Sequence, residues 1–331
     1  MTLTLLGLTV YPYGLALACG GLLGLLLLCW SGKKHRISSA SLSWAALLVI
    51  PGAVIFARLL YVGITLPTFQ QMGMDAAFTL TKGGFMLYGA LLGGCLAGWC
   101  AARLAKENPL LTLDALALPA AWMIGVARFA EGLVAQGYGW DLARWFDPEE
   151  GMSILALTDY DFLKGFPFSV EDMYGDFTWA VFVLEGLFAL AICLVLWRTA
   201  SHRPGDAVTL MVLLYASGQI LWESLRQDAV LRWGFVRVSQ VISSVVLMGL
   251  LFWLHRQTSP GERRPLWRPA AGLLVMMGIV MAMEFAVEKK ISCLEWMTMD
   301  LCYLVMAAAC GGMMTILLPA WRRFRRGCPA S

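Results

Sequence analysis

Apolar residues in this chain come in long unbroken blocks. They show neither the two-residue alternation of a half-buried strand nor the one-sided stripe of a surface helix. Nine blocks stand out, at roughly 9–30, 42–64, 84–104, 113–136, 177–198, 206–225, 236–255, 270–287 and 298–319. Each has the length of about 20 residues that a helix needs to cross a hydrocarbon core about 30 Å thick. Lipid offers no hydrogen bonds to the backbone, so the spanning element must satisfy its own N–H and C=O groups, as a helix does. Barrel strands are shorter and alternate. The pattern therefore predicts an all-α, polytopic transmembrane bundle of about nine spans.

The polar segments between the blocks alternate in charge. Lys33, Lys34 and Arg36 follow the first block, Arg103 and Lys106 the third, and Arg198 and Arg203 the fifth. Arg256, Arg263, Arg264 and Arg268 follow the seventh, and Arg322, Arg323, Arg325 and Arg326 the ninth. The other set of connections is poorer in basic residues and richer in acids. Basic loops stay in the cytoplasm, which predicts an N-terminus outside and a cytoplasmic C-terminus. No Lys or Arg precedes the first block, so it reads as a retained span and not as a cleaved signal. The longest connection, 137–176, falls on the acidic side and carries Trp140, Trp145, Phe146, Tyr160, Phe162, Phe166, Phe168 and Tyr174. Aromatics of this kind suit the headgroup level, and the segment is expected to form either a lid or a solvated loop with interfacial anchors.

Composition agrees with a membrane protein: 59% hydrophobic, 14% charged, with a mean hydropathy of +0.70. The net charge of +3 does not imply nucleic acid, because the basic residues cluster at span ends. The nine cysteines fall mostly in apolar blocks, without CxxC or Cys/His spacing, so neither a disulfide framework nor a metal site is expected, and no cofactor is called for. A transporter would be signalled by inverted repeats or broken helices, which the sequence does not display.

Among the ionisable residues inside predicted spans or at their ends, six stand out: Arg58, Arg128, Glu131, Glu185, Glu223 and Glu284. A charge at the middle of a membrane helix costs at least about 2.5–3.5 kcal/mol, so such residues face the bundle interior and find partners. Arg128 and Glu131 are neighbours at i, i+3. Arg128 and Glu223 are expected to approach each other across spans four and six. Glu284, close to a span end, is expected to snorkel.

Several segments around these residues form a recognisable series. Tyr11-Pro12-Tyr13-Gly14-Leu15 is similar to a Trp-Tyr-Gly-Leu motif, and Ala57-Arg58-Leu59-Leu60-Tyr61-Val62 to Ala-Arg-Leu-x-Tyr-Val. Gly83-Gly84-Phe85-Met86-Leu87-Tyr88-Gly89-Ala90-Leu91 is similar to Gly-Gly-x-x-x-His-Gly-Gly-Leu. The stretch 114–139, with Gly125-Val126-Ala127-Arg128-Phe129, is similar to Gly-Arg-x-Gly-Asn-Phe-x-Asn-x-Glu and its lead-in. Gln219-Ile220-Leu221-Trp222-Glu223-Ser224-Leu225-Arg226 is similar to Arg-Phe-x-x-Glu-Phe-x-Arg, and Ser239-Gln240-Val241-Ile242-Ser243 to Gly-Gln-x-Leu-Ser. In this order and spacing, across about 9–255, the series resembles prolipoprotein diacylglyceryl transferase, a bacterial membrane enzyme of lipoprotein maturation. The resemblance implies a seven-span domain at 1–258; the additional two-span segment with a basic tail at 259–331 has no counterpart in the family pattern. The chain departs from the family pattern at Tyr88, where histidine is expected, at Glu131 (asparagine), at Gln136 (glutamate) and at Gln219 (arginine).

The resemblance implies phosphatidylglycerol as donor and lipobox-containing preproteins as acceptors, at the bacterial cytoplasmic membrane. The reaction needs a thiolate and a stabilised phosphate leaving group. Arginine pairs bidentately with phosphate, which makes Arg128 the first candidate, supported by Arg226. The histidines, His35, His202 and His255, all fall on the predicted cytoplasmic side, so a base would have to be Glu131, Glu223 or Tyr88. Catalytic candidates are thus Arg128, Glu223, Glu131 and Tyr88. Arg58, Tyr13, Arg226, Gln219 and Gly139 are substrate-binding candidates. The alternative reading is a non-catalytic relative that binds lipid or a partner.

Overall fold

The computed structural model describes all residues except 1–2, 6–7, 73, 80–82, 148–152, 155–159, 173, 200, 202, 228–231, 234–235, 259–262, 264 and 327–331. Arg264, used in the charge reading, and His202, one of the three histidines, lie outside the described residues. So do parts of the 137–176 connection.

Nine helices among the described residues are long and apolar enough to cross a bilayer. A hairpin of β1 (Leu3–Leu5) and β2 (Leu8–Val10) precedes α1 (Pro12–His35). The first span therefore begins at Pro12, a residue pre-shaped for the first helical position, and not at residue 9. There follow α2 (Ser39–Ile64), the short α3 (Leu66–Met72), α4 (Leu87–Leu104) and α5 (Pro109–Glu131). The next connection holds α6 (Leu142–Phe146) and the hairpin β3 (Ser169–Glu171)–β4 (Phe177–Trp179). Then come α7 (Val181–Arg198), α8 (Asp206–Leu225), the small hairpin β5 (Arg232–Trp233)–β6 (Val236–Arg237), α9 (Val238–Gln257), α10 (Trp267–Val287) and α11 (Met299–Arg326).

The helix ends are set by local polar chemistry. Ser38 caps α2 by accepting from the Ser41 amide at 3.2 Å, and Glu107 in turn accepts from the Ser38 amide at 3.0 Å. Asn108 accepts from Leu110 N at 3.0 Å, with Pro109 as the first helical residue of α5. The start of α8 is capped from α5: buried Asp114 accepts from Gly205 N at 2.7 Å and Val208 N at 2.9 Å. A carboxylate there satisfies orphan amides and complements the positive end of the helix dipole.

The chain falls into two compact units. One comprises 22–120 and 199–208, and the other 1–21, 121–198 and 209–331. In the first unit α2 and α4 lie in close contact. Gly89 and Gly93 form the small-residue stripe that lets two membrane helices approach. A Cβ at Gly93 would stand 2.2 Å from the carbonyl oxygen of Gly52, and one at Gly89 2.4 Å from that of Phe56. Leu28, Ala45, Ala101, Ala115 and Leu116 form this unit's apolar core.

In the second unit, Trp122 at the unit's end of α5 donates to Gly20 O of α1 at 3.0 Å. The connection between α5 and α7 builds its own aromatic core here. Trp145 stacks on Tyr303 of α11 at a centroid distance of 5.8 Å and meets Trp179 edge-on at 6.1 Å. Phe146 stacks on Tyr160 at 5.4 Å. By contrast Phe162, Phe166, Phe168 and Tyr174 are exposed.

Candidate active site

The last turn of α5 projects Arg128 and Glu131 side by side, as their i, i+3 spacing requires. Arg128 Nη1 meets Glu131 Oε1 at 2.6 Å, and Nη2 meets Glu185 Oε1 of α7 at 2.9 Å. Just past the end of α8, Arg226 Nη1 lies 2.9 Å from Glu131 Oε2 and 3.4 Å from Glu185 Oε2. The four side chains close a ring in which each arginine meets both glutamates, so two positive and two negative charges cancel. Glu185 is entirely enclosed and the other three are nearly so. The Arg128 Nε group is buried without a hydrogen-bond partner among the described residues.

Sequence reasoning paired Arg128 with Glu223. The carboxylates that meet Arg128 are instead Glu131 and Glu185. Glu223 is turned along its own helix, where it accepts from Gln219 Nε2 at 3.1 Å, one turn earlier. Gln219 is almost completely buried, and its Oε1 has no hydrogen-bond partner among the described residues.

The end of α8 is held in place by Arg237, whose Nη1 donates to the carbonyl oxygens of Glu223 at 2.5 Å and Arg226 at 2.7 Å. A cation bonding the last carbonyls of a helix is favourable for the dipole as well as for the hydrogen bonds. Arg237 was not among the residues singled out from the sequence. A signal existed: Arg226, Arg232 and Arg237 stand in a segment that the charge alternation expects to be poor in basic residues.

Tyr13 stands in the first turn of α1, in the same unit as the ring. Gly139 lies where the 137–179 connection passes the end of α8. Its amide donates to Trp179 O at 2.8 Å, and a Cβ there would come within 2.7 Å of Val181 Cγ2. Next to it, Tyr138 O accepts from Gln227 N at 2.8 Å. The root of the connection thus borders Arg226. Gly139 serves this site by allowing close backbone approach.

Arg58 and Tyr88 belong to the other unit. Arg58 is buried, and its guanidinium is spent on main-chain carbonyls. Nε donates to Ala77 O at 2.9 Å, Nη1 to Gly84 O at 2.9 Å and also to Gly83 O, and Nη2 to Thr79 O at 3.3 Å. Gly84 takes a left-handed φ of +81°, and a Cβ there would sit 2.6 Å from Arg58 Nη1. Arg58 therefore shapes the segment that leads into α4. Tyr88, in the first turn of α4, is buried beside Gly89.

Glu284 does not snorkel. It is buried on α10 and accepts from Gln240 Nε2 of α9 at 2.5 Å, and Gln240 also donates to Ile220 O of α8 at 3.1 Å. A tertiary partner removes the need to reach the interface.

These features define a multi-pass α-helical membrane protein with a neutral, enclosed arginine–glutamate centre at the ends of three of its spans. The chain belongs to the prolipoprotein diacylglyceryl transferase family, whose model matches residues 1–255. It is 29% identical over 249 residues to phosphatidylglycerol–prolipoprotein diacylglyceryl transferase of Clostridioides difficile (strain 630), covering 74% of this chain and 90% of that protein. The protein of the same name from Gloeobacter violaceus is 29% identical over 271 residues, 77% of this chain and 93% of its own. That of Clostridium kluyveri is 26% identical over 255 residues, 75% and 93% respectively. The family match ends inside α9, so α10 and α11 lie beyond it.

Proposed function

We propose that this protein transfers the diacylglyceryl group of phosphatidylglycerol to the lipobox cysteine thiol of a secreted preprotein. The observation that carries the reading is the closed ring of Arg128, Glu131, Glu185 and Arg226 in a chain of this family. Two arginines enclosed together are suited to a phosphate, and their counter-charges keep them tolerable in the bundle until it arrives. In the reaction the thiol loses its proton and the thiolate sulfur attacks the diacylglyceryl carbon. The bond from that carbon to the phosphate oxygen breaks, a thioether forms, and glycerol phosphate leaves. Arg128 and Arg226 hold the phosphate and stabilise the charge it gains.

We assign the base to Glu223. Glu131 spends both carboxylate oxygens on arginines, whereas the side-chain partner of Glu223 is the neutral Gln219. A base must be near the proton that it takes and not already committed to a cation. To Tyr88, in the place of the family's histidine, we assign no part in proton transfer; its phenol is a hydrogen-bond donor. We place the N-terminus outside the cytoplasmic membrane, the tail around Arg322–Arg326 inside, and the 137–176 segment as an outer lid. Residues 1–258 form the transferase module and 259–331 an extension of it.

The test is transfer of labelled diacylglyceryl from phosphatidylglycerol vesicles to a lipobox peptide by the purified protein, with complementation of a transferase-depleted bacterium in parallel. Turnover and rescue are expected. A folded protein that binds phospholipid but transfers nothing would be a non-catalytic relative. Cysteine labelling that reaches the tail from outside would overturn the orientation.

A further inference from the structure

The two helices beyond the family match are tied to the helix end that carries the site. Tyr303, in the first turns of α11, is buried between two elements of it. Its hydroxyl accepts from Trp140 Nε1 at 3.0 Å and donates to the carbonyl oxygen of Ser224 at 3.2 Å. Ser224 sits between Glu223 and Arg226 in sequence, in the last turn of α8. The ring of Tyr303 stacks on Trp145, so the residue is fixed by packing as well as by both bonds. Close by, Asp300 accepts from the Ile154 amide at 2.9 Å and from the Ser153 hydroxyl. From α10, Glu284 accepts from Gln240, whose amide also holds Ile220 O one turn before Ser224. The final turn of α8 is thereby braced at Ile220, Glu223, Ser224 and Arg226, with α10 and α11 supplying Glu284 and Tyr303.

We propose that α10 and α11 form a built-in brace in which Tyr303 and Glu284 act as positioning residues for Glu223 and Arg226. Neither touches the reacting atoms. Tyr303 holds the Ser224 carbonyl between Glu223 and Arg226, Glu284 acts through Gln240 on Ile220 one turn earlier, and catalytic groups lose rate steeply when they are misplaced. The inference rests on the transferase reading.

The experiment uses the full chain, with Tyr303→Phe, Glu284→Ala and Glu284→Gln in the diacylglyceryl-transfer assay. Tyr303→Phe keeps the stacked ring and removes both hydrogen bonds. It is expected to lower kcat about tenfold, roughly the rate equivalent of one lost hydrogen bond, with KM for phosphatidylglycerol within about twofold. Glu284→Ala should act alike, and Glu284→Gln should recover most of the rate, since its amide oxygen still accepts from Gln240. Amide hydrogen exchange of the peptide covering 221–227 should quicken in Tyr303→Phe, a readout that does not depend on turnover. Should Tyr303→Phe fold poorly, Trp140→Phe added to it removes the stranded indole donor, and the same kcat loss is expected in the folded double variant. An active parent with unchanged kcat in Tyr303→Phe, or with a loss confined to KM or thermal stability, overturns the brace. An inactive parent overturns the transferase reading and the brace with it.

Discussion

Replacing Glu185 by Gln tests whether the ring is a mutually neutralised unit. The side chain is fully enclosed, 2.9 Å from Arg128 and 3.4 Å from Arg226. At an effective dielectric of about 20, a unit charge at those distances attracts by roughly 6 and 5 kcal/mol. Repulsion from Glu131 and the desolvation of Glu185 itself offset much of that. The net loss expected for removing one partner of a buried ion pair is about 3–5 kcal/mol, because the remaining charge is stranded. In Glu185→Gln the shape stays, but two arginines then share only Glu131. The assay is unfolding of the purified protein in mixed micelles by titration with denaturing detergent, followed by circular dichroism. A second pair of samples completes a double-mutant cycle with Arg128→Gln. The double variant, neutral again, should recover part of the loss, giving a coupling energy of at least about 1 kcal/mol. If Glu185→Gln unfolds with its parent, or if the two losses simply add, the four residues do not act as a closed unit.

Arg128→Ala should cut diacylglyceryl transfer at least about 100-fold, as loss of one preorganised donor to a developing anion does, while the protein still inserts. Glu223→Gln should stop turnover and leave phosphatidylglycerol binding within about twofold, measured by equilibrium binding to labelled lipid, since the amide keeps the shape but takes no proton. Gly93→Ala should destabilise the protein by about 1–3 kcal/mol in the same detergent titration, because the added methyl would meet the Gly52 carbonyl oxygen at 2.2 Å.

The spans were legible because lipid imposes one requirement on every one of them, a run of apolar residues of fixed length. The start of the first was misplaced by residues 8–10, Leu-Thr-Val, which form a strand; Pro12 was the marker for the true start. The Arg128–Glu131 pair was legible because its spacing on one helix fixes the geometry. What escaped was tertiary. Nothing in the local sequence of Glu185 joins it to two arginines, one 41 residues further on. Glu284 near a span end reads as a snorkelling residue until Gln240 is brought beside it. Arg58 reads as a buried charge in need of a carboxylate, yet its partners are carbonyls of an irregular segment, which carry no side-chain signature at all.

The ring also has a history in time, because the chain enters the membrane from its N-terminus. Arg128 and Glu131 arrive together on α5, so that span reaches lipid as a pair that already neutralises itself. Glu185 comes next, on α7, and enters before the arginine that shares it has been made. From then until α8 has been synthesised, the incomplete ring holds two carboxylates and one arginine. Only the emergence of Arg226, at the very end of α8, restores neutrality. A ribosome paused between those two spans would leave behind an intermediate in which two carboxylates share Arg128, and Arg226, arriving just past α8, completes the ring.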